Sequence, residues 1–242
     1  HPPNYQAHGC MIPMPARVKE VVDIPVIAVG RLDLPELAEE VLADGKADMI
    51  ALGRGLLADP RWSIKAASGK AEDIRPCIAC YDGCFQNYYR LRAICCTVNP
   101  ASGREGSYGL TPALVKKTVA VVGGGIAGME AARVAALRGH RVVLYERRDE
   151  LGGMIINAAV PDFKMDLNRL LDWYRRQMDE TGVEVVLSTD AAPDMIAEEK
   201  PDAVVIATGA HPFVPHIQGI DDARVVLGID LLQVNCTPVE NT

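Results

Sequence analysis

The sequence lacks any apolar run near the ~20 residues that cross a bilayer as a helix, so we expect no membrane-spanning segment. It also lacks an excess of positive charge: 25 lysines and arginines face 32 aspartates and glutamates, a net charge of -7. A nucleic-acid-binding protein needs a basic face to neutralise phosphates, so that class is disfavoured. The first residues, His-Pro-Pro-Asn-Tyr, have neither the basic start nor the apolar core of a secretory signal, which predicts a cytoplasmic protein.

The cysteines are unevenly distributed along the 242 residues. Five of the seven lie between Cys77 and Cys96, whereas Cys10 and Cys236 stand apart. Small secreted proteins spread their cysteines along a short chain as a disulfide framework. Clustering within a larger chain that has no secretory signal instead predicts a metal-binding segment.

Two short apolar runs near the start of the chain have the pattern of buried parallel strands. They cover residues 24–29 and 48–52, and a glycine follows each of them. Apolar residues recur at helical spacing after Asp33, which can cap the helix that they form. Two such βα units leave bare sheet edges and faces, so they cannot form a complete domain.

The second half of the chain again alternates strands and helices. We predict strands over residues 118–122, 141–145, 183–187 and 202–207, and helices over residues 126–137 and 165–180. This alternation indicates an α/β protein with parallel strands. The chain is therefore divided into three segments, which cover residues 1–70, 71–115 and 116–242.

A glycine-rich turn joins the first strand of the third segment to its helix. Residues 123–128, Gly-Gly-Gly-Ile-Ala-Gly, match the G-x-G-x-x-G fingerprint of dinucleotide-binding folds. Gly123 permits the tight turn, Gly125 lets backbone amides approach a pyrophosphate, and Gly128 lets the helix pack on the sheet. Glu146 ends the next strand, where a carboxylate can hold a ribose hydroxyl. An ordinary glycine-rich turn is the alternative, but the strand, helix and acid together favour a dinucleotide.

The residues that follow resemble two-dinucleotide flavoproteins. Residues 146–153, Glu-Arg-Arg-Asp-Glu-Leu-Gly-Gly, resemble their acid-plus-GG element, and residues 207–210, Ala-Thr-Gly-Ala, resemble their second short signature. The resemblance implies FAD rather than NAD, the alternative being that these glycines only form turns. The implied FAD contacts are Gly123, Gly125, Ile126, Ala127, Gly128, Glu146, Arg147, Gly152, Gly153, Ala207, Thr208 and Gly209.

The cysteine segment begins with the spacing C-x2-C-x3-C. Cys77, Cys80 and Cys84 supply this spacing, and Cys95 or Cys96 supplies a fourth thiol. Four thiolates can hold a [4Fe–4S] cluster or a tetrahedral zinc ion, and unliganded thiols are a third interpretation. Structural zinc sites more often use two separated C-x2-C pairs, so the spacing favours the iron–sulfur cluster.

The residues around these cysteines resemble one family of flavoproteins. Residues 75–84 and 96–100 resemble the stretch Arg-Pro-Cys-Ile-x-Cys…Gly-Cys…Cys-x-Val-Asn-Pro of the 2,4-dienoyl-CoA reductase, 2-enoate reductase and trimethylamine dehydrogenase family. Cys95 is then a packing residue, because adjacent cysteines rarely both reach one cluster. The resemblance implies that the cluster ligands are Cys77, Cys80, Cys84 and Cys96.

Members of this family begin with a TIM barrel, related to old yellow enzyme, that binds FMN. Residues 25–31 resemble its seventh strand, and residues 51–60 resemble its eighth strand and the loop after it. TIM barrels commonly bind phosphate with the loops after these two strands. By composition alone the two arginines of these stretches would be assigned to surface ion pairs. The resemblance instead implies that the FMN phosphate is held by Gly30, Arg31, Gly53 and Arg54.

The resemblance implies an NAD(P)H-dependent oxidoreductase. Electrons would pass from NAD(P)H to FAD and through the cluster to FMN, which would reduce an activated C=C bond of a small enoate, enoyl thioester or enone. An amine dehydrogenase of the trimethylamine dehydrogenase type and a non-catalytic flavin and iron–sulfur electron-transfer module are the alternatives. The sequence identifies no catalytic residue, and the resemblance is compatible with a homo-oligomer.

We expect the chain to correspond to an internal fragment of such a protein. A (β/α)8 barrel needs ~250 residues, and far fewer precede the cysteine segment. The expected α/β architecture is therefore the C-terminal remnant of a TIM barrel, a cysteine-rich [4Fe–4S] segment and the first part of a Rossmann-like FAD-binding domain. By itself this fragment is expected to be inactive.

Overall fold

The computed structural model describes residues 2–232 and divides into two compact units. The first unit comprises His1–Gly109 and Phe163–Trp173, and the second comprises Leu110–Asp162 and Tyr174–Thr242. His1 and Cys236 lie outside the described residues. Within residues 2–232, no helix is long and apolar enough to cross a membrane.

The first unit combines a pair of short strands with short helices. The strands are β1 (Ile27–Val29) and β2 (Met49–Ala51), and the helices that precede the second unit are α1 (Pro13–Lys19), α2 (Pro35–Ala43), α3 (Arg54–Ala58), α4 (Trp62–Ala67) and α5 (Asn87–Tyr89). A 3-10 turn covers Ala71–Asp73, and a π-helix covers Asp82–Gln86.

The strands β1 and β2 pair in parallel, with Ile27 opposite Met49 and Val29 opposite Ala51. One face of the pair packs into a small core made by the buried residues Ala28, Leu32, Val41 and Ala47. Ile27 and Val29 point to the other face, where they are 55% and 59% exposed. Parallel strands are usually covered on both faces. This pair departs from that rule, because its second apolar face is bare.

The second unit contains the larger sheet. Its elements, together with the helix shared between the units, are β3 (Thr118–Val122), α6 (Ile126–Leu137), β4 (Arg141–Tyr145), α7 (Met154–Ala158), a 3-10 turn (Asp162–Lys164), α8 (Met165–Glu180), β5 (Glu184–Val186), α9 (Pro193–Glu198), β6 (Ala203–Ile206) and α10 (Gly228–Leu231).

In the described part of the chain, this sheet has the strand order β5-β4-β3-β6, and all of its pairings are parallel. The central strands are completely buried at Val121 and Leu144, and α6 is completely buried at Met129 and Ala132. Because the strands are parallel, their carboxyl ends lie along one edge of the sheet. The predicted mixed α/β fold with parallel sheets is confirmed.

The long periodic elements were predicted at their observed bounds, as for β3, β4, α6 and α8. The prediction that Asp33 caps α2 is wrong: Leu34 occupies the N-cap position, and no side chain caps the helix. The π-helix Asp82–Gln86 was not predicted, because the cysteine segment has no hydrophobic period for either a helix or a strand.

Candidate functional site

The glycine turn of the second unit joins β3 to α6. Gly123 has φ +107°, a conformation that favours glycine. A Cβ atom at Gly128 would overlap the carbonyl oxygen of Gly123, so the first turn of the helix lies directly against the loop. Gly125 is the N-cap residue, and no side chain caps α6. The first N–H groups of this helix are therefore left for a ligand, and its positive end favours an anion.

Glu146 follows β4 and lies beside this turn. Its carboxylate is buried, with Oε2 accepting a hydrogen bond from the Gly124 N–H at 2.6 Å and Oε1 accepting one from the Arg148 N–H at 2.9 Å. Two backbone donors thus fix the orientation of the acid. Arg147, the other predicted contact from this strand end, is exposed.

The second glycine pair packs directly on the first turn. Gly152 forms a parallel bridge with Gly125, and its N–H donates to the Gly124 carbonyl oxygen at 2.9 Å. A Cβ at Gly153 would lie 3.0 Å from the Gly125 Cα atom, so side chains are excluded between the two segments. This arrangement leaves a cradle lined by backbone groups.

The third predicted stretch continues from β6. The Ala207 N–H donates to the Val122 carbonyl oxygen at 2.8 Å, and the Ala207 carbonyl lies where a Cβ on Gly123 would be. Gly209 has φ +80°. The second unit thus brings Gly123, Glu146, Gly152 and Ala207, which are widely spaced in the sequence, to one edge of its sheet.

Four cysteines of the first unit line one pocket. The pocket has about 310 Å³ of empty volume, part of it open solvent, and the four cysteines are Cys77, Cys80, Cys84 and Cys96. Cys95 does not line it: its Sγ atom accepts a hydrogen bond from Asn87 Nδ2 at 3.5 Å and lies 3.5 Å from the Gly83 carbonyl oxygen. No disulfide is formed by the cysteines that the structure describes.

Among residues 2–232, no three histidine, cysteine or acidic side chains converge on one metal position. A tetrahedral zinc site with Zn–S bonds of about 2.3 Å would need sulfurs about 3.8 Å apart. A cubane places its four ligands at separate iron atoms, so it needs a wider arrangement of thiolates around a common cavity.

The backbone of the cysteine loop is held in an uncommon conformation. Ala79 and Tyr81 have φ values of 49° and 62°, in the left-handed region that non-glycine residues seldom adopt. The Ala79 N–H donates to Cys77 Sγ at 3.4 Å. Burial raises the pKa of the Cys77 thiol to about 12 and also raises that of Cys96. These two thiols are protonated at neutral pH, and binding of a metal would release their protons.

A second, larger pocket lies at the carboxyl ends of β1 and β2. It has about 1560 Å³ of empty volume, part of it open solvent, and the predicted phosphate residues line it: Gly30, Arg31, Gly53 and Arg54. Arg54 Nη2 donates to the Pro2 carbonyl oxygen at 2.9 Å. Arg54 Nη1 is buried without a hydrogen-bond partner. A buried donor without a partner is costly, so this nitrogen suits an anionic ligand.

Arg31 differs from Arg54 in that its guanidinium is already engaged. Nη1 donates to the carbonyl oxygens of Pro3, Asn4 and Gln6, and Nη2 contacts His8 and the Asp166 carboxylate. The side chain is 5% exposed. Arg31 lines the second pocket, but both of its Nη atoms already have hydrogen-bond partners. Its guanidinium therefore holds the loop of residues 3–8.

Sequence reasoning missed the charge network around Arg31. His8 lies 3.2 Å from Asp33 and 3.0 Å from Asp166, and Arg169 lies 3.6 Å from Asp33 and 3.1 Å from Asp166. Burial opposes ionisation of Asp33, but the hydrogen bond from His8 and the charge of Arg169 lower its pKa. No local signal predicts these contacts, because Asp166 is 135 residues from Arg31.

Comparison with known proteins agrees with this division of the chain. Residues 5–73 match the NADH:flavin oxidoreductase / NADH oxidase family, and residues 117–233 match pyridine nucleotide-disulphide oxidoreductases. The cinnamate reductase of Clostridium sporogenes is 46% identical over 91% of this chain and 33% of its own length. The chain spans about a third of the length of the curated relatives it matches.

Two solved structures extend the comparison. A 2-naphthoyl-CoA reductase in complex with 2-naphthoyl-CoA has a TM-score of 0.91 and 36% identity, covering 95% of this chain and 35% of that chain. The histamine dehydrogenase of Rhizobium sp. 4-9 has a TM-score of 0.84 and 29% identity, and the match covers 89% of this chain and 32% of that chain. Parallel sheets, the glycine turn and these matches make the chain similar to parts of flavin-dependent oxidoreductases. Its first part is thus similar to the NADH:flavin oxidoreductase / NADH oxidase family and its second part to pyridine nucleotide-disulphide oxidoreductases.

Proposed function

We propose that this chain is part of an NAD(P)H-dependent reductase that acts on activated C=C bonds. When bound, FAD, a [4Fe–4S] cluster and FMN would carry electrons from NAD(P)H to the substrate, in that order. The observation that carries the proposal is the shared pocket of Cys77, Cys80, Cys84 and Cys96, which lies in the same unit as the candidate phosphate residues. A plain barrel reductase needs no such group of thiols.

In the second unit, a Rossmann-like FAD site is supported by the glycine cradle. Gly125 and Gly153 leave room for a diphosphate, and the uncapped start of α6 offers N–H groups to it. Glu146 would accept a hydrogen bond from the adenosine ribose, in the orientation that its two backbone donors already impose. The strand order β5-β4-β3-β6 agrees with this fold.

In the first unit, β1 and β2 correspond in this proposal to the last strands of a TIM barrel. The bare apolar face at Ile27 and Val29 fits strands whose neighbours lie elsewhere in a longer protein. Arg54, with its unpaired Nη1, would donate to the FMN phosphate, and Gly30 and Gly53 would let the backbone approach it. Arg31 would orient the neighbouring loop rather than bind phosphate through its guanidinium.

The substrate class rests on the relatives. Cinnamate reductase and 2-naphthoyl-CoA reductase are both named for unsaturated substrates, and both are more similar to this chain than histamine dehydrogenase is. The latter supports an amine dehydrogenase as the second candidate function. The two candidates differ in the direction of electron flow, because an amine dehydrogenase oxidises its substrate and passes electrons outward.

The experiment uses the complete protein that contains this chain, prepared anaerobically. We expect NADH or NADPH to be oxidised only when an enoate, enone or enoyl thioester is supplied, with the saturated product formed in equal amount. Residues 1–242 alone, supplied with the same cofactors, should give no turnover. Bleaching of flavin absorbance by methylated amines, without reduction of any C=C substrate, would contradict the reductase and support the amine dehydrogenase.

A further inference from the structure

Arg54 lies on the wall between the two pockets of the first unit. It lines the cysteine pocket together with Leu57, Cys77 and Cys84, and the same four residues also line the larger pocket at the ends of β1 and β2. One guanidinium therefore lies beside the thiols proposed to hold the cluster and beside the site proposed for the FMN phosphate. No other arginine lines both pockets in the described part of the chain.

The charge of this guanidinium has no carboxylate counter-ion within the part of the chain that the structure describes. Arg54 forms no ion pair with any carboxylate among residues 2–232, and its Nη1 atom is buried without an acceptor. Its only hydrogen-bond partner there is the Pro2 carbonyl oxygen. Arg54 is half-buried, and a buried N–H donor without an acceptor is costly, so the arrangement favours an anion beside Nη1.

Tyr81 holds the guanidinium in this position. The Arg54 Cζ atom lies 4.5 Å from the centre of the Tyr81 ring, within the range of a cation–π contact. Tyr81 itself follows Cys80 and adopts the left-handed conformation at the start of the π-helix that carries Cys84. The cysteine loop and the phosphate-side arginine are thus positioned by one direct contact.

We propose that Arg54 is a positioning residue that couples FMN phosphate binding to the reduction potential of the iron–sulfur cluster. This inference rests on the proposed function, because it requires both cofactors. A cation beside the cluster stabilises the state that carries one more electron, so it raises the potential. A phosphate dianion on the same guanidinium cancels that charge and lowers the potential. By reciprocity, FMN binds more tightly to the protein whose cluster is oxidised.

The test measures the cluster potential by electron paramagnetic resonance during redox titration of the complete protein. Binding at one site typically changes the equilibrium constant at a coupled site five- to 150-fold, and we expect a change of about tenfold here. For a one-electron couple, tenfold corresponds to about 59 mV. In the FMN-free protein, Arg54→Gln should lower the potential by this amount. Adding FMN should lower the wild-type potential, whereas riboflavin, which lacks the phosphate, should leave it unchanged.

Two further variants make the result specific. Arg54→Lys keeps the charge and should retain a potential above that of Arg54→Gln. Arg61→Gln removes an equal charge from an exposed residue seven positions further on that lines neither pocket, and it should behave as wild type. The lowering of the cluster potential on FMN addition should be about 59 mV in the wild type and much smaller in Arg54→Gln, which has no cation for the phosphate to neutralise.

The inference fails if the FMN-free Arg54→Gln and wild-type proteins have the same cluster potential, or if Arg61→Gln shifts it equally. Either result can be obtained in a protein that contains its cofactors and reduces C=C bonds, so it leaves the proposed function intact. A purified protein with no iron, no acid-labile sulfide or no FMN would instead overturn the proposed function and the inference together.

Discussion

The charge network of the first unit leads to a pH-dependent stability prediction. His8 lies between the carboxylates of Asp33 and Asp166, and Arg31 and Arg169 complete the network. Although burial by itself lowers the pKa of His8, hydrogen bonds and charge attraction from the two carboxylates raise it to about 9. We therefore expect His8→Gln to destabilise the first unit strongly at pH 6 and much less at pH 10.

The sign follows from proton linkage. In the unfolded chain the imidazole titrates near its ordinary pKa of 6.5, so the stabilisation is fully present below pH 6.5. It is lost as the pH rises from 6.5 through about 9, where the folded protein also loses the proton. At 1.36 kcal/mol per pKa unit the difference corresponds to roughly 3 kcal/mol. The His8 side chain is 20% exposed, so solvent screening makes this an upper value.

Tryptophan fluorescence provides the assay, because both tryptophans of the sequence lie in the first unit. The Trp62 indole N–H donates to the Asp33 carbonyl oxygen at 3.0 Å, and the Trp173 indole N–H donates to the Asp73 carbonyl oxygen at 2.9 Å. Urea unfolding of the cofactor-free chain at pH 6, 8 and 10 then gives the free energy of unfolding of this unit.

The control is His140→Gln, which changes a histidine of the second unit and should leave the tryptophan transition unaltered at every pH. A wild-type minus His8→Gln difference that stays constant from pH 6 to pH 10, or that grows with pH, would refute the reasoning. Such a result would mean that His8 is neutral in the folded protein and that the carboxylates are neutralised by the arginines alone.

Three other predictions address the cofactor sites. The wild type should contain about four irons and four sulfides per chain, as a cubane does. Cys96→Ser should lose them, whereas Cys95→Ser should retain them. One zinc ion without sulfide in the wild type would contradict both expectations. Glu146→Ala should weaken FAD binding in the complete protein by roughly tenfold or more, because a charged hydrogen bond contributes about 1.5–3 kcal/mol; unchanged affinity in a flavin titration would exclude the ribose contact. Gly128→Ala should destabilise the second unit by about 1–3 kcal/mol in circular dichroism melts, because the new Cβ meets the Gly123 carbonyl, whereas Gly228→Ala, with open space around it, should be nearly neutral.

The features that sequence reasoning predicted correctly are those encoded over short distances. The strand β3, the glycine turn after it and the helix α6 follow from one apolar run, one fingerprint and one helical period. The Cys77–Cys84 spacing likewise predicts a metal-binding segment without reference to the rest of the chain, and this stays a prediction. In each case neighbouring residues carry both the conformational preference and the chemical group, so the pattern survives in the sequence alone.

The roles of Asp33, Arg31 and Arg54 were decided only by the tertiary structure. Asp33 looked like a helix cap, but His8 and Arg169 bind it instead. Each arginine directly follows the first glycine after its strand. The Arg31 guanidinium is hydrogen-bonded to a loop and to the distant Asp166 carboxylate, whereas Arg54 keeps an unpaired donor. The sequence determined which segments are strands, helices and thiol-bearing loops. Which charged groups meet depends on residues more than a hundred positions apart, and no local pattern specifies the partner of a buried charge.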